Sequence, residues 1–177
     1  GAGVAIGAAW SGLLGNFASG IFLLVLRPFQ VGDYVSAGGI EGTVLELGLF
    51  GTALTTPDNV RTIVGNGKIM GSDIKNFSAN AYRRVDLVAQ LAGSADVNHA
   101  IALLKEAVAK VAHIDASQPV DVEILEFNEF GPKLAVRPYC HTDRYWQVYF
   151  DTNKAIADTL GQAGFPVATR PVKVYPV

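Results

Sequence analysis

The residues that most resemble a chemical site are 65–68, Gly-Asn-Gly-Lys, which suggest a loop that binds phosphate. A nucleotide-binding P-loop requires Gly-x-x-x-x-Gly-Lys followed by Ser or Thr, because backbone amides and the lysine hold the phosphates while the hydroxyl binds Mg²⁺. Thr62 occupies the position of the first glycine, and Ile69 follows the lysine. The run therefore predicts a hairpin turn and not a nucleotide site.

The histidines and the single cysteine do not form a pattern typical of a metal site or a catalytic site. His99, His113 and His141 are not at metal-ligand spacing. His141 and Asp143 could form an orienting pair, but no nucleophile accompanies them. Cys140 is predicted to be a small buried apolar residue, since a lone cysteine at a strand end usually is. We expect no cofactor, no metal and no enzymatic activity.

The charge pattern argues against a nucleic-acid-binding protein. The chain has 14 basic and 16 acidic residues, a net charge of −2, whereas such proteins usually carry a basic excess. Asp121, Glu123, Glu126 and Glu129 alternate with apolar residues, which is typical of the solvated face of a strand. A sharper interpretation is that these carboxylates line a portal or vestibule.

The first 26 residues carry no charge, and Arg27 is the first charged side chain. An uncharged apolar segment of this length predicts a membrane-embedded helix over residues 1–27. The sequence begins inside this apolar segment, so we expect further residues upstream. Interior glycines destabilise a helix by roughly 1 kcal/mol each, and in a membrane close helix–helix packing offsets that cost.

Small residues lie on two flanks of this helix. At about 100° per residue, Gly3 and Gly7 lie nearly opposite Ala5 and Ala9. Such a helix can pack head-to-tail, with the glycine flank of one copy against the alanine flank of the next, and contacts of this kind close into rings. An ordinary membrane span without a pore remains the alternative.

In a ring, Val4 and Ala8 would face the axis and Ile6 would face outward. Such a lumen would be narrow and apolar, which allows gating by dewetting. Ser11 and Gly12 form a pair that recurs at helix kinks, so we predict a kink near Gly12.

The rest of the chain alternates short strands with two helices. Residues 28–80 contain short strands separated by glycines, which suits a small bent antiparallel sheet or barrel. Residues 81–170 predict an α+β domain of order βαββα. Its predicted elements are strand 85–91, helix 97–112 capped by Asp96, strands 120–127 and 133–140, and helix Tyr145–Gln162. A last strand is predicted over residues 172–177.

Several linked motifs resemble the small-conductance mechanosensitive channel (MscS) family over essentially the whole chain. They are residues 3–7 (Gly-Val-Ala-Ile-Gly), Gly12, Asn16, Gly20, 27–29 (Arg-Pro-Phe), 32–35 (Gly-Asp-Tyr-Val), 39–44 (Gly-Ile-Glu-Gly-Thr-Val), the hairpin 55–64, 66–69 (Asn-Gly-Lys-Ile), 76–78 (Asn-Phe-Ser) and 83–84 (Arg-Arg).

The resemblance implies a homoheptameric ion channel of the cell inner membrane, opened by tension, that releases ions and small osmolytes in hypo-osmotic shock. It implies a pore-lining transmembrane helix over 1–27 that is kinked at Gly12. It further implies a five-stranded, Sm-like β domain over 28–80, a ferredoxin-like domain over 81–170 and a C-terminal barrel strand over 171–177. Residues after about 28 would be cytoplasmic. Membrane lipids and permeating ions would be its other partners.

Three features depart from the family pattern. Val4 and Ala8 stand where the family has two rings of leucine; both are smaller, so we expect a looser seal in a closed pore. Gly65 replaces a proline, and the tension-sensing helices that precede the pore helix in the family are not in this sequence.

The main alternative function is a soluble RNA-binding ring or an RNA-recognition module, since both share strand-rich architectures. An RNA-recognition strand carries exposed aromatic residues beside basic ones. Residues 133–137, Lys-Leu-Ala-Val-Arg, contain no aromatic residue, and the net charge is acidic. We therefore expect no nucleic acid partner.

Overall fold

The computed structural model describes residues 2–170 and residue 172, and the chain divides into two compact units, Gly1–Asn80 and Ala81–Val177. An apolar N-terminal helix precedes a β-rich region, as predicted. The predicted last strand, 172–177, lies outside the described residues except for Val172, which has no regular structure.

The first unit consists of a long helix followed by one antiparallel sheet. Its elements are α1 (Ala2–Leu26), β1 (Tyr34–Ala37), β2 (Ile40–Leu47), β3 (Gly51–Thr55), β4 (Arg61–Gly65), α2 (Asn66–Met70) and β5 (Lys75–Asn76). The strand order in the sheet is β4-β3-β2-β1-β5. Gly38 and Gly39 both have positive φ, so they form the tight two-residue turn that joins β1 to β2.

The core of this unit joins the end of α1 to the inner face of the sheet. It contains Leu23, Phe29, Val35, Ala37, Val44, Leu54, Val64 and Ile69. All of these side chains are at least 96% buried, Val64 being the most exposed. Burial of Leu23 and Phe29 therefore fixes the C-terminal end of α1 against the sheet.

The hairpin turn predicted at residues 65–68 is wrong, because Asn66–Met70 forms the short helix α2. The Asn66 amide donates to the Phe50 carbonyl at 3.0 Å, which ends the β4 ladder. Ile69, three residues later, is fully buried in the core. A helical turn allows both contacts, since it returns the chain to the sheet within one turn.

The second unit contains two helices, a three-stranded sheet and a separate two-stranded sheet. Its elements are β6 (Tyr82–Arg84), β7 (Leu87–Gln90), α3 (Val97–Ala109), β8 (Asp121–Asn128), β9 (Gly131–Arg137), β10 (Tyr139–His141), a 3₁₀ turn (Thr142–Arg144) and α4 (Tyr145–Gln162). The three-stranded sheet has the order β7-β9-β8, and β6 pairs with β10 separately. The core includes Leu104 and Val108 of α3 and Val148 of α4.

The predicted helix Tyr145–Gln162 is confirmed as α4, and two further predictions about this unit had definite outcomes. The Asp96 carboxylate accepts from the His99 amide at 3.0 Å, so the predicted N-cap of α3 is confirmed. The single strand predicted over 133–140 is wrong, because it is interrupted at Pro138. Proline has no amide hydrogen to continue a ladder, and its carbonyl instead accepts from the Val85 amide at 2.8 Å. The chain then continues as β10, beside β6.

Candidate functional site

By length and composition, residues Gly3–Leu26 of α1 are suited to cross a membrane. These 24 residues measure about 36 Å as a helix, slightly more than the hydrocarbon core of a bilayer. Only 12% of the most apolar stretch is buried inside the chain. The apolar surface of α1 is therefore left for a membrane or for other chains to cover.

The described side chains in the N-terminal half of α1 are exposed. Val4 is 80% exposed and Ile6 is 61% exposed. A side chain added at Gly3, Gly7, Gly12 or Gly15 would meet nothing within 4 Å. The predicted flanks are thus unoccupied wherever the structure describes them, although the side chains of Ala8 and Ala9 lie outside the described part.

The predicted pore and packing residues all belong to this one helix. Val4 and Ala5 are both exposed. Their exposure does not test which side of the helix faces a neighbouring copy and which side faces the axis of a ring. The hydrogen-bonded helix continues through Gly12, from Ala2 to Leu26. A kink angle at Gly12 therefore stays a prediction, as do the assignments of Val4 and Ala8 to a pore face.

The C-terminal half of α1, by contrast, is docked on the sheet through Asn16 and Gly20. The Asn16 Oδ1 atom accepts from the Gly67 amide of α2 at 2.8 Å. Gly20 is buried, and a Cβ atom at this position would lie 2.1 Å from the Leu49 carbonyl oxygen. Only glycine allows α1 to approach the β2–β3 turn this closely. Phe17 and Phe50 add a tilted ring contact at 5.8 Å.

A buried polar pair, Thr52 and Asn66, lies next to the contacts that hold α1 on the sheet. The Thr52 hydroxyl donates to Asn66 Oδ1 at 2.9 Å, and both residues are fully buried. The Asn66 side-chain amide donates to the Gly48 carbonyl at 2.8 Å. Buried polar groups that are hydrogen-bonded favour one geometry, so these bonds fix the position of α2 and of the Gly67 amide, which donates to Asn16.

Sequence reasoning missed this docking surface. It attributed the interior glycines of the helix to helix–helix packing in a membrane, whereas Gly20 contacts its own chain. A usable signal was present, since Asn16 is the only amide side chain in the uncharged segment and lies one turn before Gly20. A single amide in an apolar helix requires a specific partner, because an unbonded one is costly to bury.

Cys140 is fully buried in the second unit, as predicted, and it is part of the core. Burial raises the pKa of its thiol, and the nearby Arg83 guanidinium offsets this only in part. Burial likewise raises the pKa of Tyr145, whose ring lies 3.9 Å below the Arg83 guanidinium carbon. The protonated thiol is a poor nucleophile and a poor metal ligand.

The predicted solvent exposure of the four carboxylates is confirmed, and each of them has a basic partner. Glu123 lies 3.1 Å from Lys105 and Glu126 lies 2.9 Å from Lys133. Asp121 pairs with Arg137, and Glu129 pairs with Arg170. Among the described residues, no group of three or more His, Cys, Asp or Glu side chains could hold a metal ion.

Comparison with known proteins identifies the family. A family model described as "Mechanosensitive ion channel, beta-domain" matches residues 12–79. A small-conductance mechanosensitive channel from Edwardsiella ictaluri is 35% identical over 176 residues, which is 98% of this chain and 62% of that protein. The chain belongs to the MscS family. An MscS-family protein of Buchnera aphidicola is also 35% identical, over 150 residues, which cover 85% of this chain and 53% of that protein.

Solved structures of MscS-family channels share the fold. The closed-state crystal structure of Helicobacter pylori MscS matches 99% of this chain and 70% of that chain, with a TM-score of 0.90 and 24% identity. Arabidopsis thaliana MSL1 matches 95% of this chain and 63% of that chain, with a TM-score of 0.76 and 21% identity. The chain thus spans about three fifths of its E. ictaluri relative and about half of the B. aphidicola one. These matches favour the MscS family over an RNA-binding module.

Proposed function

We propose that the chain is the pore-lining helix and cytoplasmic region of a mechanosensitive ion channel without enzymatic activity. One observation carries this proposal: α1 has an exposed apolar N-terminal half and a C-terminal half that is docked on its own sheet. A helix of this kind can present one half to a membrane pore and stay joined to a folded cytoplasmic body through the other.

The assembly is a homo-oligomer, with seven subunits as in the family pattern. Gly3 and Gly7 of one copy pack against Ala5 and Ala9 of the next. Open space around Gly3 and Gly7 supports this packing, since nothing of their own chain lies within 4 Å. Close packing offsets the cost of glycine in a helix, and the heterologous contact closes into a ring.

The pore face consists of Val4 and Ala8, with Gly12 as the hinge below them. Its apolar neck excludes ions when closed, because water and ions lose hydrogen bonds there without replacement. Bilayer tension widens the neck, and ions and small osmolytes then pass with weak selectivity. The 80% exposure of Val4 supports a position facing a lumen or a neighbour.

The remaining regions form the cytoplasmic vestibule beneath the inner membrane. Residues 28–80 are its Sm-like β domain, 81–170 its ferredoxin-like domain, and 171–177 a strand that joins copies from other subunits in a barrel. The five-stranded sheet of the first unit and the β7-β9-β8 sheet with two helices in the second support these assignments.

Two experiments on the full-length protein test the proposal. Patch-clamp recording under graded suction should show tension-dependent conductance, and a folded, membrane-embedded protein that never conducts would overturn the channel function. Cysteines at Gly7 and Ala9 should crosslink between subunits, with a cysteine pair at Ile6 and Leu13 as the outward-facing control. If only the control pair crosslinks, the packing flanks have been assigned to the wrong faces of the helix.

A further inference from the structure

A groove lies at the C-terminal end of α1, where the membrane helix meets the first unit. Its volume is about 210 Å³, and its lining is Leu24, Arg27, Phe29, Gln30, Val31 and Leu47. Four of these six side chains are apolar. This space is smaller than a drug-sized ligand needs, but it suits a segment of one extended hydrocarbon chain.

Arg27 is the only charged residue in the lining, and it is exposed at the mouth of the groove. Its Nε atom donates to the Leu24 carbonyl at 3.3 Å, so the guanidinium is held against the end of the helix. Within the described part of the chain, Arg27 has no ion pair. Asp33, the nearest carboxylate in sequence, instead accepts from the Gln30 amide at 2.9 Å and from the Asn76 side chain at 2.8 Å.

The surroundings of Arg27 are strongly apolar for an exposed site. Val25 is 71% exposed, Leu26 is 66% exposed and Val31 is 61% exposed. An arginine at the end of an apolar span lies at the depth of the lipid headgroups, where basic residues are attracted to anionic lipids. A guanidinium also matches the geometry of a phosphate group better than an ammonium does.

We propose that this groove binds a phospholipid, with the phosphate on the Arg27 guanidinium and the start of one acyl chain along Leu24, Val31 and Leu47. Charge complementarity selects this occupant: a cation beside an apolar channel matches an anion joined to a hydrocarbon chain. Anionic lipids bind best, because they lack the ammonium group that a zwitterionic lipid would bring towards Arg27. The proposal rests on the membrane placement of α1 in the proposed function.

The test uses the full-length protein purified from vesicles of phosphatidylglycerol and phosphatidylcholine, with retained lipids counted by native mass spectrometry. Arg27→Gln should lower the ratio of retained phosphatidylglycerol to phosphatidylcholine about fivefold, the fold-change for one basic residue at an anionic membrane surface. Arg61→Gln is the matched control, because Arg61 is an exposed arginine of the same unit, 3.4 Å from Glu46. It should leave the ratio unchanged.

Two further arms separate a lipid from a free anion. Val31→Ser should reduce retention of both lipids while keeping the preference for phosphatidylglycerol, since it weakens only the acyl-chain contact. Excess inorganic phosphate should displace little lipid. The lipid site is wrong if phosphate displaces phosphatidylglycerol fully and Val31→Ser changes nothing, because the site then binds any anion.

The proposal is also overturned if Arg27→Gln leaves lipid retention unchanged. If Arg27→Glu in that case disrupts assembly, the guanidinium binds a carboxylate of the upstream chain instead of a lipid. Suction-activated currents recorded from the same preparations distinguish a failure of the lipid site from a failure of the proposed channel function. A conducting channel with unaltered lipid retention in Arg27→Gln refutes only the lipid site, whereas a protein that never enters the membrane refutes the proposed function.

Discussion

Replacement of Gly20 by alanine should detach α1 from the sheet. The added Cβ atom would lie 2.1 Å from the Leu49 carbonyl oxygen, 2.8 Å from the Leu49 carbonyl carbon and 2.6 Å from Asn66 Nδ2. Ordinary contacts begin at 3.4 Å, so the helix must move by about 1.3 Å. Two of the three contacted atoms are backbone atoms, which cannot rotate away.

The expected loss of docking free energy is the sum of two unfavourable effects and one favourable effect. Overpacking of this kind costs about 1–3 kcal/mol, and the displaced helix also weakens the Asn16–Gly67 hydrogen bond, worth about 1 kcal/mol. Alanine favours a helix over glycine by about 1 kcal/mol. The net loss of docking free energy is about 2 kcal/mol, which corresponds to an increase of about 30-fold in the population of the undocked helix.

Hydrogen exchange of the Gly67 amide measures this docking directly, because that amide donates to Asn16 when α1 is in place. Its exchange should become about 30-fold faster in Gly20→Ala if local opening controls it. Gly15→Ala is the matched control, since a Cβ atom there meets nothing within 4 Å and only the favourable helix term remains. Equal Gly67 exchange in the wild type and Gly20→Ala would refute the close approach of α1 to the sheet.

Three further predictions concern the pore, the docking surface and the second unit. Val4→Ser should wet the neck and lower the tension that opens the channel in patch-clamp recordings, whereas Ile6→Ser should leave the threshold unchanged; the reverse result would place the pore on the other face. Thr52→Val should destabilise the protein by about 1–3 kcal/mol in thermal unfolding, because it removes the donor to buried Asn66 Oδ1, and an unchanged melting temperature would contradict that bond. The raised pKa of Cys140 stabilises the folded state fully below the ordinary cysteine pKa of about 8.5, and this contribution is lost as the pH rises through the folded pKa. Cys140→Ala should therefore reduce the loss of stability above pH 8.5, and an unaltered alkaline profile would show that the thiol keeps its proton equally in both states.

Elements whose signals are local could be predicted from the sequence. The uncharged run before Arg27 indicates α1, and the spacing from Asp96 to His99 identifies the N-cap of α3, because all the groups involved lie within a few residues of one another. The break at Pro138 was missed although proline itself signals it. The apolar alternation on either side of it favoured one continuous strand.

Features that depend on distant contacts could not be predicted in this way. Asn16 and Gly67 are 51 residues apart, and no periodicity relates them. α2 forms because Ile69 is buried in the core, which outweighs the turn preference of its Asn-Gly pair. A pore face on α1 stays a prediction, since it depends on contacts between neighbouring copies.

The docking of α1 at Gly20 makes the exposed part of the helix a lever. Val4 lies sixteen residues before Gly20, so the arm is about 24 Å long in a continuous helix. A tilt of about 5° around the docking point would move Val4 sideways by about 2 Å, roughly the depth of a methyl group. A widening of that size at each subunit is comparable with the dimensions of a water molecule. While α1 stays continuous through Gly12, small changes where it touches the sheet are thus amplified at Val4. Under the proposed pore function, substitutions at Asn16 or Gly20 should therefore change conduction although neither residue lines the pore.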